Sequence, residues 1–219
     1  MDVEQYFEKQ RLRMVEEQID RRGIHGQLVL SAFRSVPRHM FVPESLQSRA
    51  YNDGPLPIGD GQTISQPYIV ALMTSVAKVD ADSTVLEIGT GSGYQAAVLS
   101  KIVKQVYSIE RIPALGLRAE GILSELGYLN VKVKIGDGTL GWPENGPFDA
   151  ILVTAGAPVI PESLKHQLKT GGNLVIPVGD ELSQTLVCLT KTAKGDFDTA
   201  SIEFVRFVPL IGKEGWHKS

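Results

Sequence analysis

Three glycines at alternate positions, Gly89, Gly91 and Gly93, follow the apolar run Val85-Leu86-Glu87-Ile88 and precede Tyr94-Gln95-Ala96-Ala97-Val98-Leu99, which reads as a helix. Glycine lets a backbone approach a ligand closely, so a strand, a glycine turn and a helix start together form a cofactor cradle. Thr90 and Ser92 fill the remaining positions of the turn, and an acid, Glu87, closes the strand. The third glycine falls one residue earlier than in the G-x-G-x-x-G of dinucleotide enzymes. Three carboxylates, Glu87, Glu110 and Asp137, fall at the ends of three consecutive predicted strands, where ligands bind in open α/β sheets. Glu110 lies 17 residues beyond Gly93, near the spacing at which an acid accepts hydrogen bonds from a ribose diol. It would repel the extra phosphate of NADP. Asp137, between Gly136 and Gly138, is suited to accept from an exocyclic adenine amine. Ser65, two residues before Pro67, has two readings. It caps the helix that Pro67 opens, or its hydroxyl holds a ligand. Residue pattern by itself favours the cap.

These residues need elements to position them. Val3 to Arg22 reads as a helix with Phe7, Leu12, Met14, Val15 and Ile19 inward, terminated by Gly23. A second helix covers Gln27 to Ser35, with Leu28, Leu30, Ala32 and Phe33 as core candidates, and Val36 to Pro43 is a proline-bracketed connector. His39 in that connector sits among apolar residues and is not expected to be catalytic. Ala50 to Gln66, rich in turn residues, reads as a long functional loop. Pro67 opens a helix to about Lys78. Strands are expected at 84–88, 105–109, 131–135, 149–154 and 173–178, with helices at 113–126 and 161–169 between them. Two further strands, Leu182 to Thr190 and Ser201 to Val208, flank a hairpin turn at Lys194-Gly195-Asp196. Alternating β and α elements ending in β-β call for a doubly wound, mainly parallel sheet with helices on both faces.

Composition narrows the partners. Lys and Arg number 22 against 25 Asp and Glu, a net charge of −3, and no basic cluster offers a nucleic-acid surface. Cys188 is the only cysteine, in a strand-like setting that makes it a buried, inert thiol, and no ligand spacing indicates a metal site. The polar start of the chain lacks a secretory h-region and no apolar stretch is long enough for a bilayer, so a cytoplasmic protein without membrane contact is expected.

The turn at Gly89–Gly93 resembles the first motif of S-adenosylmethionine-dependent methyltransferases. Gly61-Gln62-Thr63-Ile64-Ser65-Gln66-Pro67, taken with Val85 to Tyr94, Gly136-Asp137-Gly138 and Gly171 to Gly179, resembles the protein-L-isoaspartate O-methyltransferase family. The likeness runs through nearly the whole chain, including Val36 to Pro43 and Phe207-Val208-Pro209-Leu210. It implies a single Rossmann-like methyltransferase domain over 1–219, a seven-stranded sheet with N-terminal helices. Within it, 1–66 supplies those helices and the active-site loop, and 67–219 the core and C-terminal strands. It also reverses the preference on Ser65, which becomes the active-site hydroxyl. Gln62, Thr63, Ile64 and Ser65 then face the substrate. Glu87, Gly89, Thr90, Gly91, Ser92 and Gly93 form the cofactor turn, Glu110 meets the ribose, and Asp137 and Gly138 the adenine. The segment near Pro209-Leu210-Ile211 helps to close the site.

The activity so implied is methyl transfer from S-adenosylmethionine, leaving S-adenosylhomocysteine, to the α-carboxylate of L-isoaspartyl residues in damaged proteins and peptides. The ester then closes to a succinimide, which starts repair. That carboxylate has a reference pKa near ~3.5 and is ionised at neutral pH, so no general base is needed. The lack of a His–Asp or paired-acid pattern agrees. Two rivals remain at this point: a methyltransferase acting on a small molecule or nucleic acid, and a cofactor-sensing domain without catalysis. The motifs after Thr84 fit the first rival almost equally; Thr63 to Pro67 separates them.

Overall fold

A computed structural model describes residues 2–217. Its centre is a seven-stranded sheet of β3 (Thr84–Ile88), β4 (Gln105–Glu110), β5 (Val131–Ile135), β6 (Phe148–Val153), β7 (Leu168–Gly179), β8 (Gln184–Lys191) and β9 (Phe197–Val205), in the order β5-β4-β3-β6-β7-β8-β9. The first five positions in that order pair in parallel and the last two junctions are antiparallel. The chain winds outward from β3 to β5, then returns to lay β6 on the other side of β3. This reversal opens a crevice beyond the carboxyl end of β3, where ligands bind in such sheets.

Side-chain alternation splits the sheet residues between two cores. Val85, Val106, Ala150, Leu152 and Val175 join one cluster, and Leu86, Ile88, Ile109, Ile151, Val153, Leu174 and Ile176 the other. Both faces are therefore covered, which is why the central strands read as continuous apolar runs. Five helices serve the first core: α1 (Val3–Met14), α2 (Gln27–Ser35), α3 (Pro67–Ala77), α4 (Tyr94–Ser100) and α5 (Pro113–Glu125). Phe33 of α2 meets Tyr94 of α4 edge to face at 6.0 Å, tying the N-terminal helices to the cofactor side.

Several expectations are corrected. The first helix is α-helical only over Val3–Met14 (α1), then passes through a π turn, Val15–Ile19, and a 3-10 turn, Asp20–Arg22; Gly23 ends it at φ 94°. Leu12 and Leu28 are 45% and 57% exposed rather than inward: α1 buries the stripe Phe7, Arg11 and Met14, and α2 buries Val29, Leu30, Ala32 and Phe33, which leaves both leucines outside. The connector Val36 to Pro43 contains a 3-10 turn, Arg38–Phe41. The long loop contains a small hairpin, β1 (Leu56–Gly59) with β2 (Gln62–Ile64). Asp60 and Gly61, at φ 53° and 69°, make the two-residue left-handed turn that suits right-twisted strands. The helix expected at 161–169 is only Glu162–His166 (α6), since Leu168 is buried and pairs with Phe148 as the start of β7. β9 begins at Phe197, earlier than expected, because it pairs with β8 from Lys191 back to Gln184. It also stops earlier: Gln184 Oε1 accepts from the Phe207 N–H at 2.8 Å and draws the chain off the sheet.

Candidate active site

The crevice beyond β3 opens on the glycine turn. Gly89 sits at φ 96°, and a Cβ there would come within 2.5 Å of Thr154 Oγ1, so the neighbouring strand end excludes any side chain. Gly93, at φ 88°, is the N-cap of α4 and packs so close to Ala119 and Leu123 that a Cβ would meet both at 3.3 Å. The turn's N–H groups are tied inward: Gly89 N donates to Ile109 O and Gly91 N to Glu110 Oε2, each at 2.8 Å.

Glu110 closes β4, is 6% exposed and borders the crevice. Its Oε1 also accepts from Ile112 N at 2.8 Å, so each oxygen already takes one backbone donor. A carboxylate oxygen has a second acceptor site, and no ion pair among the described residues involves Glu110. A ribose diol fits this fixed carboxylate, which keeps one acceptor site open on each oxygen. A 2′-phosphate does not.

Glu87 lies below the crevice rather than in its wall. It is fully buried; its Oε2 accepts from Ser108 Oγ at 2.5 Å, and Oε1 has no partner among the described residues. Ser108 also shares a hydrogen bond of 2.6 Å with Thr90 Oγ1. This chain links β3, β4 and the turn. Desolvation, reinforced by the nearby Glu110 charge and opposed by Ser108, pushes the Glu87 pKa up to about 8.

Asp137 and Gly138 separate. Gly138 borders the crevice, packed on Ile88, while the Asp137 carboxylate turns to the C-terminal segment. Its Oδ1 accepts from Thr139 N and Oγ1 at 2.9 and 2.7 Å, and Oδ2 from Lys213 N at 2.8 Å. That segment, Pro209 to Trp216, borders the crevice through Pro209, Leu210 and Ile211 and forms the edge of its roof. Leu210 N donates to Gly156 O at 2.8 Å, Trp216 Nε1 to the same oxygen at 3.1 Å, and Glu214 accepts from both N and Oγ of Ser163.

Opposite the glycine turn, Gln62, Thr63, Ile64 and Ser65 line the crevice. Ser65 is not a helix cap: α3 opens with Gln66 as N-cap and Pro67 in its first turn, and no side chain caps it. Ser65 instead stands between two spaces. Thr63, Ser65, Thr154, Val208 and Pro209 border both the crevice and a second, wider cavity of about 560 Å³ lined outward by Pro55, Glu181, Phe204 and Phe207. Three wall residues with hydroxyls, Thr63, Ser65 and Thr154, therefore face the narrow crevice on one side and an open groove on the other.

His39 is a core residue. Its ring stacks on Phe7 at 4.0 Å and its Nδ1 meets Tyr51 Oη at 2.8 Å, and burial lowers its pKa. Cys188 is buried, Sγ donating to Asn173 Oδ1, and burial raises its pKa. Among the described residues no group of His, Cys, Asp and Glu could hold a metal. The residues missed from sequence are Arg38, Glu214 and Trp216. An arginine amid Val36-Pro37-Arg38-His39-Met40-Phe41 was the available signal for the first; the roof contacts join residues 51 to 76 positions apart and left no local pattern.

A doubly wound sheet with a glycine turn and a strand-end acid at its switch point is the Rossmann-like methyltransferase fold. The chain matches the family described as protein-L-isoaspartate(D-aspartate) O-methyltransferase over residues 9–215, and it belongs to that family. It is 58% identical to a protein-L-isoaspartate O-methyltransferase of Trichlorobacter lovleyi, covering 96% of this chain and 97% of that one. A relative from Syntrophobacter fumaroxidans is 57% identical, covering 96% and 98%. Among solved structures, a Plasmodium falciparum protein-L-isoaspartate O-methyltransferase in complex with S-adenosyl-L-homocysteine superposes with a TM-score of 0.79 at 27% identity, covering 92% of this chain and 98% of that one.

Proposed function

We propose that this chain methylates the α-carboxylate of L-isoaspartyl residues in damaged proteins, using S-adenosylmethionine. The observation that carries the reading is Ser65 in the wall shared by the crevice and the outer groove. When bound, S-adenosylmethionine supplies a methyl on a sulfonium: the carboxylate oxygen forms the new O–C bond, the S–C bond breaks, and its electron pair stays on sulfur as S-adenosylhomocysteine.

This chain's residues do the rest by placement. Glu110 holds the ribose diol, with Gly89 to Gly93 supplying close backbone and Gly138 a flat surface for adenine. Glu87 acts from below, fixing Thr90 through Ser108, and Asp137 acts through the roof segment. The Ser65 hydroxyl donates to the substrate carboxylate without taking a proton, while Gln62, Thr63 and Ile64 form the lip over which the peptide enters. Aligning two bound reactants contributes roughly 7–11 kcal/mol to lowering a barrier, which suits a site with no general base. The outer groove, bordered by Phe204 and Phe207, takes the polypeptide on either side of the isoaspartyl residue.

The chain works in this reading as one domain, 1–66 supplying the helices and the Ser65 loop and 67–219 the core. The reading takes the chain as cytoplasmic, without membrane or nucleic-acid partners; its net charge is −3, and no described helix is long and apolar enough to cross a membrane. The test is methyl transfer to an isoaspartyl peptide: labelled methyl should appear on the peptide as a base-labile ester. No transfer by folded, cofactor-binding protein would refute the reading.

A further inference from the structure

Arg38 is fully buried, and none of the ion pairs among the described residues includes it. Its guanidinium instead grips backbone. Nε donates to Ala50 O at 2.7 Å and Nη2 to Ser65 O at 2.8 Å. Ala50 and Ser65 bracket the segment that carries the β1–β2 hairpin and the Gln62–Ile64 lip. The same guanidinium carbon lies 4.8 Å from the centroid of Tyr94, a residue that borders the cofactor crevice. One planar group thus ties both ends of the active-site segment to the opposite wall.

Stability alone is a weak account of such a residue. A buried cation without a counter-ion carries a desolvation cost, and apolar residues of similar volume often replace buried charges without loss. Desolvation lowers the Arg38 pKa to about 10, which leaves it charged at neutral pH, and Nη1 has no hydrogen-bond partner among the described residues. What the guanidinium offers beyond packing is a rigid fork that holds two carbonyls at a set separation, which a lysine ammonium on a flexible stem cannot match.

We propose that Arg38 is a positioning residue for methyl transfer: by clamping the Ala50 and Ser65 carbonyls against Tyr94, it sets the distance from the Ser65 hydroxyl to the cofactor. This rests on the role given to Ser65 above. Arg38 touches neither substrate nor cofactor, so its effect falls on turnover and not on cofactor affinity.

Arg38→Lys, which keeps the charge, and Arg38→Met, which keeps much of the volume, test it. For each variant and the parent, kcat and KM are measured on an isoaspartyl peptide well below the melting transition, with S-adenosylhomocysteine affinity by calorimetry on the same samples. The account expects both variants to bind S-adenosylhomocysteine as the parent does while kcat falls by ~10- to 100-fold, the scale of a misplaced reacting group. Parental kcat in either variant, with only the melting temperature lowered, would overturn it. Loss of S-adenosylhomocysteine binding in both would assign Arg38 to the fold and overturn it equally. Failure of the parent to methylate the peptide would refute the underlying function, a result distinct from both.

Discussion

Each of Ser65, Glu110 and Glu87 answers a different question about the site. Ser65 does not cap α3, so a cap effect cannot disguise a catalytic one. Ser65→Ala should leave melting within about 0.5 kcal/mol of the parent, as for a surface change. It should lower kcat by roughly 10-fold or more, the loss of about 1.5–3 kcal/mol from a hydrogen bond to a charged group. Ser65→Asp should be worse, since a second carboxylate repels the first where water is scarce. Parental turnover in Ser65→Asp would remove the role. Glu110→Ala should weaken S-adenosylhomocysteine binding by about 1.5–3 kcal/mol, part of it through the freed Gly91 and Ile112 N–H groups. Calorimetry showing equal affinity would exclude Glu110 from the ribose.

Glu87 makes a pH prediction. Its carboxyl titrates near 4.5 when unfolded and at about 8 when folded, so the folded state holds the proton more tightly. That contribution is complete below about pH 4.5 and is lost as pH rises through 8. Glu87→Gln keeps a neutral, similarly shaped side chain and has no proton to lose. Its melting temperature relative to the parent should therefore climb from pH 5 to pH 8 and then level. A difference that stays flat over that range would show that Glu87 is not held neutral.

At the scale of elements, the site is closed by two pieces without regular sheet or helix partners: the β1–β2 hairpin and the roof at Pro209 to Trp216. The roof hangs on Glu214, which accepts twice from Ser163, and on Asp137, which accepts from Lys213 N. Glu214→Ala should raise the S-adenosylhomocysteine dissociation rate about 10-fold, the loss of one charge-assisted hydrogen bond's worth of closure. Stopped-flow release at the parental rate would show that the roof is held without it. These are also the pieces that sequence reading left indistinct. The central strands are legible because burial on both faces writes an apolar run, unbroken in Ala150 to Val153 and interrupted only by Glu87 in Val85 to Ile88. The hairpin has strands of only four and three residues, too short for a period to register, although Asp60-Gly61 carried its turn. The sequence pattern carries α6 past its end because the apolar Leu164 and Leu168 suit a helix face, while a long-range partner, Phe148, takes Leu168 into β7. Glu110 as a strand end and Gly89 to Gly93 as a tight turn are legible because their geometry is local. Asp137 was legible as a strand-end acid, yet its partner Lys213 lies 76 residues away and no local pattern announces it.

For the whole molecule, the sheet reversal at β3 sets where the cofactor lies, and the hairpin and β9 end set where a peptide can approach. Membership of the protein-L-isoaspartate(D-aspartate) O-methyltransferase family and the shared Ser65 wall point to one discrimination: a linkage, not a side chain. An isoaspartyl residue carries its α-carboxylate as a branch off a backbone lengthened by one methylene, and a normal aspartyl residue cannot bring its carboxylate to the same point. The most direct measurement is labelled methyl transfer from S-adenosylmethionine to twin peptides that differ only in that linkage, at equal concentration. The account predicts stoichiometric methylation of the isoaspartyl peptide, with the aspartyl twin at least ~100-fold slower, the scale on which misplacing a reacting atom acts. Equal rates on the two peptides would contradict it.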